Sequence, residues 1–452
     1  MVVARALVLL ASLAASEALR RTPDPDVAKP SDGTTMWQRR SKASLLREVP
    51  RWRGAAHWWL HQAVLRDLIA LGTFGRVFSV NTTSVAKVMR SEHLAYPDDR
   101  DFVQVEMVFD KEAILMASLD PALSVRLHGY AKVKSTAGAD VAVVDRDRAV
   151  LLMERATCTM ATLLRPEPKI DLDLALALLA QGLDGFAHLA AQQLVHADVS
   201  LDNMFVFGEL PGKEPLRLKI GDYSLTCSVA ETASDLFACG DALYKPALRA
   251  PEVWATMLRE RGADAEQDWA LTRQLLLTGE DTVSAAGLPT EPKADVFAMG
   301  VLIYSVIFGA MPYAMPAQVA PEIVAHVCAC FTCPFILPVM HLRHCKWLCG
   351  SESFIMTAEK EELMDLVQTR ARSDARWYAT IHKFHIEEVL RDGWPDLSHA
   401  KRLGEHAQVY SELRAVLVCM LQLRPADRCS AGEAAGLLRT ILHQFRPPRR
   451  GR

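Results

Sequence analysis

Two short stretches of sequence decide the fold, VHADVSLDN at residues 195–203 and IGDYS at residues 220–224. The first stretch places His196, Asp198 and Asn203 on one short loop, and the second places Asp222 directly after a strand-like apolar run. By itself, His196 would be interpreted as an ordinary core histidine. A carboxylate that can act as a base, followed by an amide and a second carboxylate that can hold Mg²⁺, is instead typical of a phosphoryl-transfer site.

A glycine-containing turn and a lysine that can be paired precede these loops in the chain. The run LIALGTFGRVF predicts a hairpin, in which Gly72 and Gly75 let the backbone approach a phosphate closely. Such a turn is weak support alone, because hairpins also use glycine for conformational reasons. The strand-like run SVAKVM carries Lys87, and a helical pattern further on carries Glu112, which can hold the lysine. As an isolated ion pair, the two could equally form a solvated surface contact.

Three later motifs follow in a recognisable order. They are an Ala-Pro-Glu ending at Glu252, the apolar helical run DVFAMGVLIY beginning at Asp295, and PADR ending at Arg428. With all these motifs in order over about residues 62–440, the chain resembles the eukaryotic protein kinase family. In that family the Arg of the last motif pairs with the Glu of Ala-Pro-Glu, a segment that small-molecule kinases usually lack, so the resemblance favours a protein substrate.

The resemblance implies an α+β fold with two lobes. A small β-rich N-lobe is expected over about residues 61–154 and a large, mainly helical C-lobe over about 155–446. Two regions, at about 253–292 and 314–408, are longer than in the family pattern and are interpreted as insertions.

The resemblance also implies ATP and Mg²⁺ as cofactors, with the γ-phosphate transferred to a protein hydroxyl of Ser or Thr. Asp198 would act as the catalytic base. Lys87 and Glu112 would position the α- and β-phosphates, while Asn203 and Asp222 would hold the metal. The expected nucleotide-binding residues are Gly72, Gly75, Val77, Lys87, Met153 and Glu154, with Met153 as gatekeeper and Val77 above the base.

Several neighbours of these residues depart from the family pattern. Ala197 replaces the Arg that precedes the catalytic Asp, and Ser224 replaces the Gly of Asp-Phe-Gly. Ser200 stands where Ser/Thr kinases carry a Lys, which removes a cation that would stabilise the γ-phosphate. Haspin-like kinases lack the same Lys. Lys245 is a candidate replacement, although an ordinary solvent-facing lysine is the alternative.

These departures leave a second function open. A catalytically weak or inactive pseudokinase could bind nucleotide and act as an allosteric scaffold for another protein. Tyrosine specificity also stays open, because neither diagnostic cation of the two kinase classes is present.

The N-terminus predicts entry into the secretory pathway. Residues 1–18 combine a basic start, an apolar run and small residues at a cleavage site, as in a signal peptide, with a buried N-terminal helix as the alternative. Residues 19–60 form a basic extension and linker, and residues 447–452 form a basic tail. Basic residues are interleaved with tryptophan and leucine over residues 37–53, which fits either a peripheral membrane helix or a helix packed on the domain. A secreted kinase with such an extension is similar to the rhoptry kinases of apicomplexan parasites.

Composition narrows the class of protein further. Half of the 452 residues are apolar, which is enough for a large packed core, and the apolar run at 323–342 is interpreted as part of it. The net charge of −3 argues against a nucleic-acid partner. Five of the ten cysteines could bind zinc, form disulfides or stay free, namely Cys328, Cys330, Cys333, Cys345 and Cys349.

Overall fold

The computed structural model describes residues 41–53, 55, 68–71, 74–89, 99–134, 147–164, 169–209, 215–229, 236–237, 239, 248–253, 292–308 and 410–444. The predicted signal peptide and C-terminal tail, Gly72, Lys245, the clustered cysteines and almost all of the two predicted insertions lie outside these residues.

A five-stranded antiparallel sheet forms the first part of the fold, with strand order β1-β2-β3-β5-β4. The strands are β1 (Leu68–Leu71), β2 (Gly75–Ser79), β3 (Ser84–Met89), β4 (Leu127–Lys134) and β5 (Asp147–Glu154). Side chains alternate between the two faces of a strand. On β3, Ala86 and Val88 therefore face a small core with Phe78 and Val150, whereas Lys87 faces the other side.

Two helices pack against this sheet. Helix α1 spans Lys42–Glu48, and helix α2 spans Asp99–Ser118. The sequence pattern predicted a helix only from Asp110 onwards, so the first half of α2 was missed. The N-terminal segment is thus folded here: Leu45 of α1 is buried in the same core as Phe109 of α2.

The second part of the fold is mainly helical. Its helices are α3 (Met160–Leu164), α4 (Leu172–Ala191), α5 (Lys293–Phe308), α6 (Tyr410–Met420) and α7 (Ala431–Gln444). Nearly every residue of α5 is buried, as expected for a helix that is apolar on all sides. The predicted helices at α4 and α5 are confirmed. Helix α4 is long and apolar enough to cross a membrane, but 56% of that apolar window is buried, so a core helix fits equally.

Short antiparallel strands lie beside these helices. Strands β6 (Cys158–Thr159), β8 (Met204–Phe207) and β9 (Arg217–Ile220) form one sheet, and β7 (Leu194–Val195) pairs with β10 (Cys227–Ser228). The segment after α2 joins the two parts, because Ile220 exchanges backbone hydrogen bonds with Leu123 and Val125. The fold is therefore α+β, with a small antiparallel sheet and several helices.

Two disulfides close short segments of the chain, and one buried ion pair connects distant ones. Cys227 is bonded to Cys239, and Cys419 to Cys429. Neither bridge belongs to the predicted cysteine cluster. The Arg428 guanidinium pairs with both carboxylate oxygens of Glu252 at 2.7 and 3.1 Å, which brings together the two motifs that the sequence predicted to meet.

Candidate functional site

Lys87 is the centre of the site. Its ammonium donates to both carboxylate oxygens of Glu112 on α2 at 2.9 and 2.8 Å, and to Oδ1 of Asp222, beyond the end of β9, at 2.8 Å. Lys87 and Glu112 are buried, whereas the side chain of Asp222 is 35% exposed. The predicted pair is thus present and buried, and Asp222 is a third member that the sequence did not place next to Lys87.

The charges of this cluster depend on one another. Burial alone would lower the pKa of Lys87, but the carboxylates of Asp222 and Glu112 outweigh it and raise that pKa. Burial would likewise raise the pKa of Asp222, yet the Lys87 ammonium and hydrogen bonds from Lys87 and Ser224 bring it down to about 2. Burial raises the pKa of Glu112, against the opposing effect of Lys87. Asp222 is therefore an anion at neutral pH, open to solvent on one side, as a cation-binding group must be.

Asp198 and Asn203 are held together on the loop that follows β7. The side-chain amide of Asn203 donates to Oδ2 of Asp198 and to its backbone carbonyl, each at 2.8 Å. Because the NH₂ group of Asn203 faces Asp198, its amide oxygen turns to another side. Oδ2 of Asp198 is occupied by this bond, which leaves Oδ1 for a ligand.

His196 joins the two loops. The backbone N–H of Asp198 donates to Nδ1 of His196, which places the ring proton on Nε2, where it faces the carbonyl oxygen of Gly221 at 3.1 Å. The residue after β9 has to be glycine, because a Cβ at position 221 would lie 2.9 Å from Val125. His196 is thus a buried and hydrogen-bonded histidine, as a core histidine would be. Its partners, however, belong to the two predicted functional loops.

Strained backbone marks the same two loops. Ala197 and Asp222 adopt positive φ angles of 63° and 59°, and among the described non-glycine residues only Gln193 shares this feature. Positive φ is costly for residues with a Cβ and is found most often where the surroundings enforce it, as at functional sites. In the first loop the enforcing group is Asp295 of α5, a buried carboxylate that accepts the backbone N–H groups of His196 and Ala197 at 2.8 and 3.2 Å.

Asp295 is a positioning residue that the sequence interpretation missed. Its motif was used only to predict the buried helix, although a charged residue at the start of an otherwise apolar run was a signal that it binds something inside the protein.

The sheet supplies one wall next to Lys87. Val77 lies opposite Lys87 across β2 and β3, and Val85 lies opposite Met153 across β3 and β5. Because paired residues share a face, Val77, Lys87 and Met153 face the same side of the sheet. At position 75, a Cβ would approach both Lys87 and Phe109 within 3.1 Å. The glycine at this position therefore leaves room for the Lys87 side chain.

No protein-family model matches this chain, and no curated protein matches it either.

Glu154 is engaged in a way that the sequence did not predict. Its Oε1 accepts from the buried Lys219 ammonium at 2.6 Å and from the backbone N–H of Arg126 at 2.7 Å. Lys219 lies on β9 and also stacks over the ring of Phe207. The carboxylate of Glu154 thus connects the end of β5 to the strand that leads into Asp222.

The chemistry of the site suits Mg²⁺ bound to a phosphate. Magnesium prefers oxygen ligands and usually takes one or two carboxylates plus water and phosphate oxygens. Asp222 and Asn203 offer that set, and no group of three or more His, Cys, Asp or Glu side chains converges anywhere in the described ranges. The structure also shows the surroundings of Ser224 and Ser200, the two serines that depart from the family pattern. Ser224 hydrogen-bonds to Asp222, while the buried Ser200 hydroxyl has no hydrogen-bond partner in the described part of the chain.

Proposed function

We propose that this chain is a protein kinase of the two-lobed kinase fold, which transfers the γ-phosphate of ATP to a protein hydroxyl, of Ser or Thr. The observation that carries the proposal is the triple contact at Lys87. Its partners Glu112 and Asp222 lie 25 and 135 residues away in sequence, and both are within 2.9 Å of one ammonium. These are the residues for which the motifs predicted phosphate and metal binding.

Each residue has a role that follows from its surroundings. When bound, Mg·ATP supplies the phosphoryl group and the cation that neutralises its charge. Lys87 would hold the α- and β-phosphates, with Glu112 fixing the direction of the ammonium. Asp222 and the amide oxygen of Asn203 would hold Mg²⁺. Oδ1 of Asp198 would accept the proton of the substrate hydroxyl, since Oδ2 is bonded to Asn203.

The nucleotide base would lie against the sheet face that carries Val77 and Met153. Lys219 and the Arg126 N–H occupy Oε1 of Glu154, and the Glu154 N–H donates to the Arg126 carbonyl, so any contact of Glu154 with the base would come from one of its other oxygens.

A second candidate function is a nucleotide-binding pseudokinase scaffold. The observation that favours it is Ser200, a neutral and buried residue at the position where a cation is expected to contact the γ-phosphate. Whether Lys245 supplies that cation stays a hypothesis, which Lys245→Ala tests: unchanged turnover would reject it.

We also propose that the protein follows the secretory pathway. The two disulfides support this, since such bonds persist mainly in oxidising compartments. Peripheral membrane contact through the basic N-terminal extension stays part of the same proposal. In that case the contact would be made by residues other than Leu45 and Val49, which are buried inside the protein.

A phosphate-transfer assay with radiolabelled ATP and generic protein substrates tests the proposed function. Asp198→Asn should lower kcat by about 10²–10⁴-fold, because the base is lost. Asp202→Asn is the matched control, since it removes an exposed carboxylate from the same loop and should leave kcat unchanged.

Three outcomes are distinguishable. Transfer that depends on Asp198 but not on Asp202 supports the enzyme. Binding of Mg·ATP without transfer, across several substrates, supports the scaffold instead. A chain that neither binds Mg·ATP nor transfers phosphate contradicts both functions.

A further inference from the structure

Helix α2 is held from the side opposite the site by an N-terminal arm, here defined as residues 41–53. The arm begins with α1, whose Leu45 is buried against α2, and continues as an added bridge on the sheet. In this bridge the Pro50 carbonyl accepts from the N–H of Tyr130 at 2.7 Å, and the Trp52 N–H donates to the Tyr130 carbonyl at 3.0 Å. The arm is therefore part of the folded core.

A glycine on β4 is needed for the arm to lie this close. A Cβ at position 129 would stand 2.8 Å from Cβ of Trp52, which real side chains do not tolerate. The glycine at position 129 thus leaves the space that Trp52 of the arm occupies.

Asp110 of α2 is the ionic contact of the arm. Its carboxylate is fully buried and pairs with the ammonium of Lys42 on α1, while the hydroxyl of Tyr130 donates to its other oxygen. Lys132 of β4 is farther away, at 3.8 Å from the carboxylate. A buried carboxylate needs a close cation, because leaving it unpaired costs far more than leaving an exposed one unpaired. Lys42 is the nearer of these two cations.

Asp110 and Glu112 fix opposite faces of the same helix. Residues two positions apart point roughly 200° apart around an α-helix. Glu112 is held by Lys87 of β3, and Asp110 is held by Lys42 of the arm and by the Tyr130 hydroxyl of β4. A rotation of α2 about its own axis would therefore break both ion pairs together.

We propose that Asp110 is a positioning residue, whose ion pair with Lys42 of the N-terminal arm sets α2 at the rotation in which Glu112 meets Lys87. The effect on phosphate transfer rests on the proposed function, whereas the effect on α2 does not. Loss of the Lys42 ammonium lets α2 rotate, so that Glu112 leaves Lys87 part of the time. Lys87 then positions the phosphates less well.

The test compares Lys42→Ala with Arg47→Ala. Lys42 is 39% exposed and can be truncated without opening the core, while Arg47 is an exposed residue of the same helix and serves as the control. Lys42→Ala should lower kcat about five- to tenfold, because the buried Asp110 carboxylate loses its closest cation. Lys42→Arg should restore most of the rate, and Arg47→Ala should match the wild type.

A second comparison separates positioning from general stability. In a Glu112→Gln background the Lys42→Ala change should have almost no further effect on kcat, because the contact that it positions is already gone. The same five- to tenfold loss in both backgrounds, or equal losses for Lys42→Ala and Arg47→Ala, would overturn the proposal.

Hydrogen exchange tests the arm independently of catalysis. Amides of residues 105–118 should exchange at least several-fold faster in Lys42→Ala than in Arg47→Ala. If the wild type proves unable to bind Mg·ATP or to transfer phosphate, the proposed function fails while this measurement still decides the role of the arm. Equal exchange in the two variants overturns it.

Discussion

Several single residues in this structure have strained backbone angles or buried charges. Ala197 and Asp222 hold strained backbone angles, and Lys87 binds two carboxylates inside the protein. Lys111 is a buried charge whose burial its neighbours compensate only in part. It is buried next to Glu112, and burial lowers its pKa to about 8, although Glu112 partly opposes the shift. A charged lysine in this position opposes folding.

Replacing Lys111 with methionine should therefore stabilise the protein at neutral pH. The unfolded chain holds the proton up to a pKa near 10.5 and the folded chain releases it near 8, so folding is penalised most below pH 8. The gain from Lys111→Met should be about 2–3 kcal/mol at pH 7 and should shrink as the pH rises from 8 towards 10.5. Urea unfolding at pH 7 and pH 9 measures it.

Lys169 provides the control for this change. It is exposed, so Lys169→Met should alter the free energy of unfolding by less than about 0.5 kcal/mol at either pH. A gain from Lys111→Met that does not depend on pH would mean that packing, and not charge burial, limits this position.

At the scale of elements, the contact between α4 and β9 positions the second functional loop. Gly185 of α4 lies directly over Ile220, the last residue of β9 and two positions before Asp222. A Cβ at position 185 would meet three carbons of the Ile220 side chain at 3.0–3.2 Å. The helix can approach the strand this closely only because the residue has no side chain.

Alanine substitutions at two helical glycines should therefore have opposite effects. Gly185→Ala should destabilise the protein by about 1–3 kcal/mol, because overpacking against Ile220 outweighs the better helix propensity of alanine. Gly436→Ala in α7 meets no atom within 4 Å and should stabilise by about 0.5–1 kcal/mol. Urea midpoints of the two variants decide the matter, and stabilisation by both would show that Ile220 moves aside at little cost.

At the scale of the whole molecule, Arg428 joins segments that are far apart in sequence. All five of its N–H groups have acceptors, which are the two oxygens of Glu252 and three backbone carbonyls, those of Lys293, Gln422 and Leu423. The guanidinium is fully buried and also lies over the ring of Phe297. It thereby ties the segment after Leu248 to α5 and to the loop before α7.

Removing this guanidinium should cost much more than removing an exposed one. Arg428→Met removes both hydrogen bonds from the guanidinium to the buried Glu252 carboxylate and should destabilise the protein by about 3–5 kcal/mol. Arg439→Met breaks the exposed pair with Asp184 and should cost no more than about 1 kcal/mol. Chemical unfolding of both variants provides the comparison, and similar losses would show that Glu252 gains water or another cation when Arg428 is absent.

The disulfides make a separate prediction at this scale. The Cys227–Cys239 bridge closes a segment of 12 residues next to the β7–β10 pair that leads into His196. Replacing both cysteines with serine should cost about 2–4 kcal/mol and speed amide exchange at residues 194–198. The Cys419/Cys429 double variant is the control, because its bridge lies elsewhere and should leave exchange at residues 194–198 unchanged. If exchange at residues 194–198 is unaltered in both variants, the Cys227–Cys239 bridge does not stabilise the loop that carries His196.

The sequence by itself determined the mixed α and β class, the strand that carries Lys87, the helices around the two loops, and the pairs Lys87–Glu112 and Arg428–Glu252. The class, the strand and the helices have local signals, such as periodicity and glycine, whereas the two pairs were predicted from the resemblance of the motifs to the kinase family. It also supplied the candidate base and metal ligands, whose roles remain predictions.

Only the tertiary structure decided the other contacts between groups that are distant in sequence. It brought Asp222 to Lys87, placed Asp295 under the strained loop, engaged Glu154 with Lys219, and paired Asp110 with Lys42 of the arm. These contacts join residues whose separation in sequence carries no period, so no local pattern encodes them. They form because a charge buried by packing must find a partner in whatever segment the fold brings alongside it.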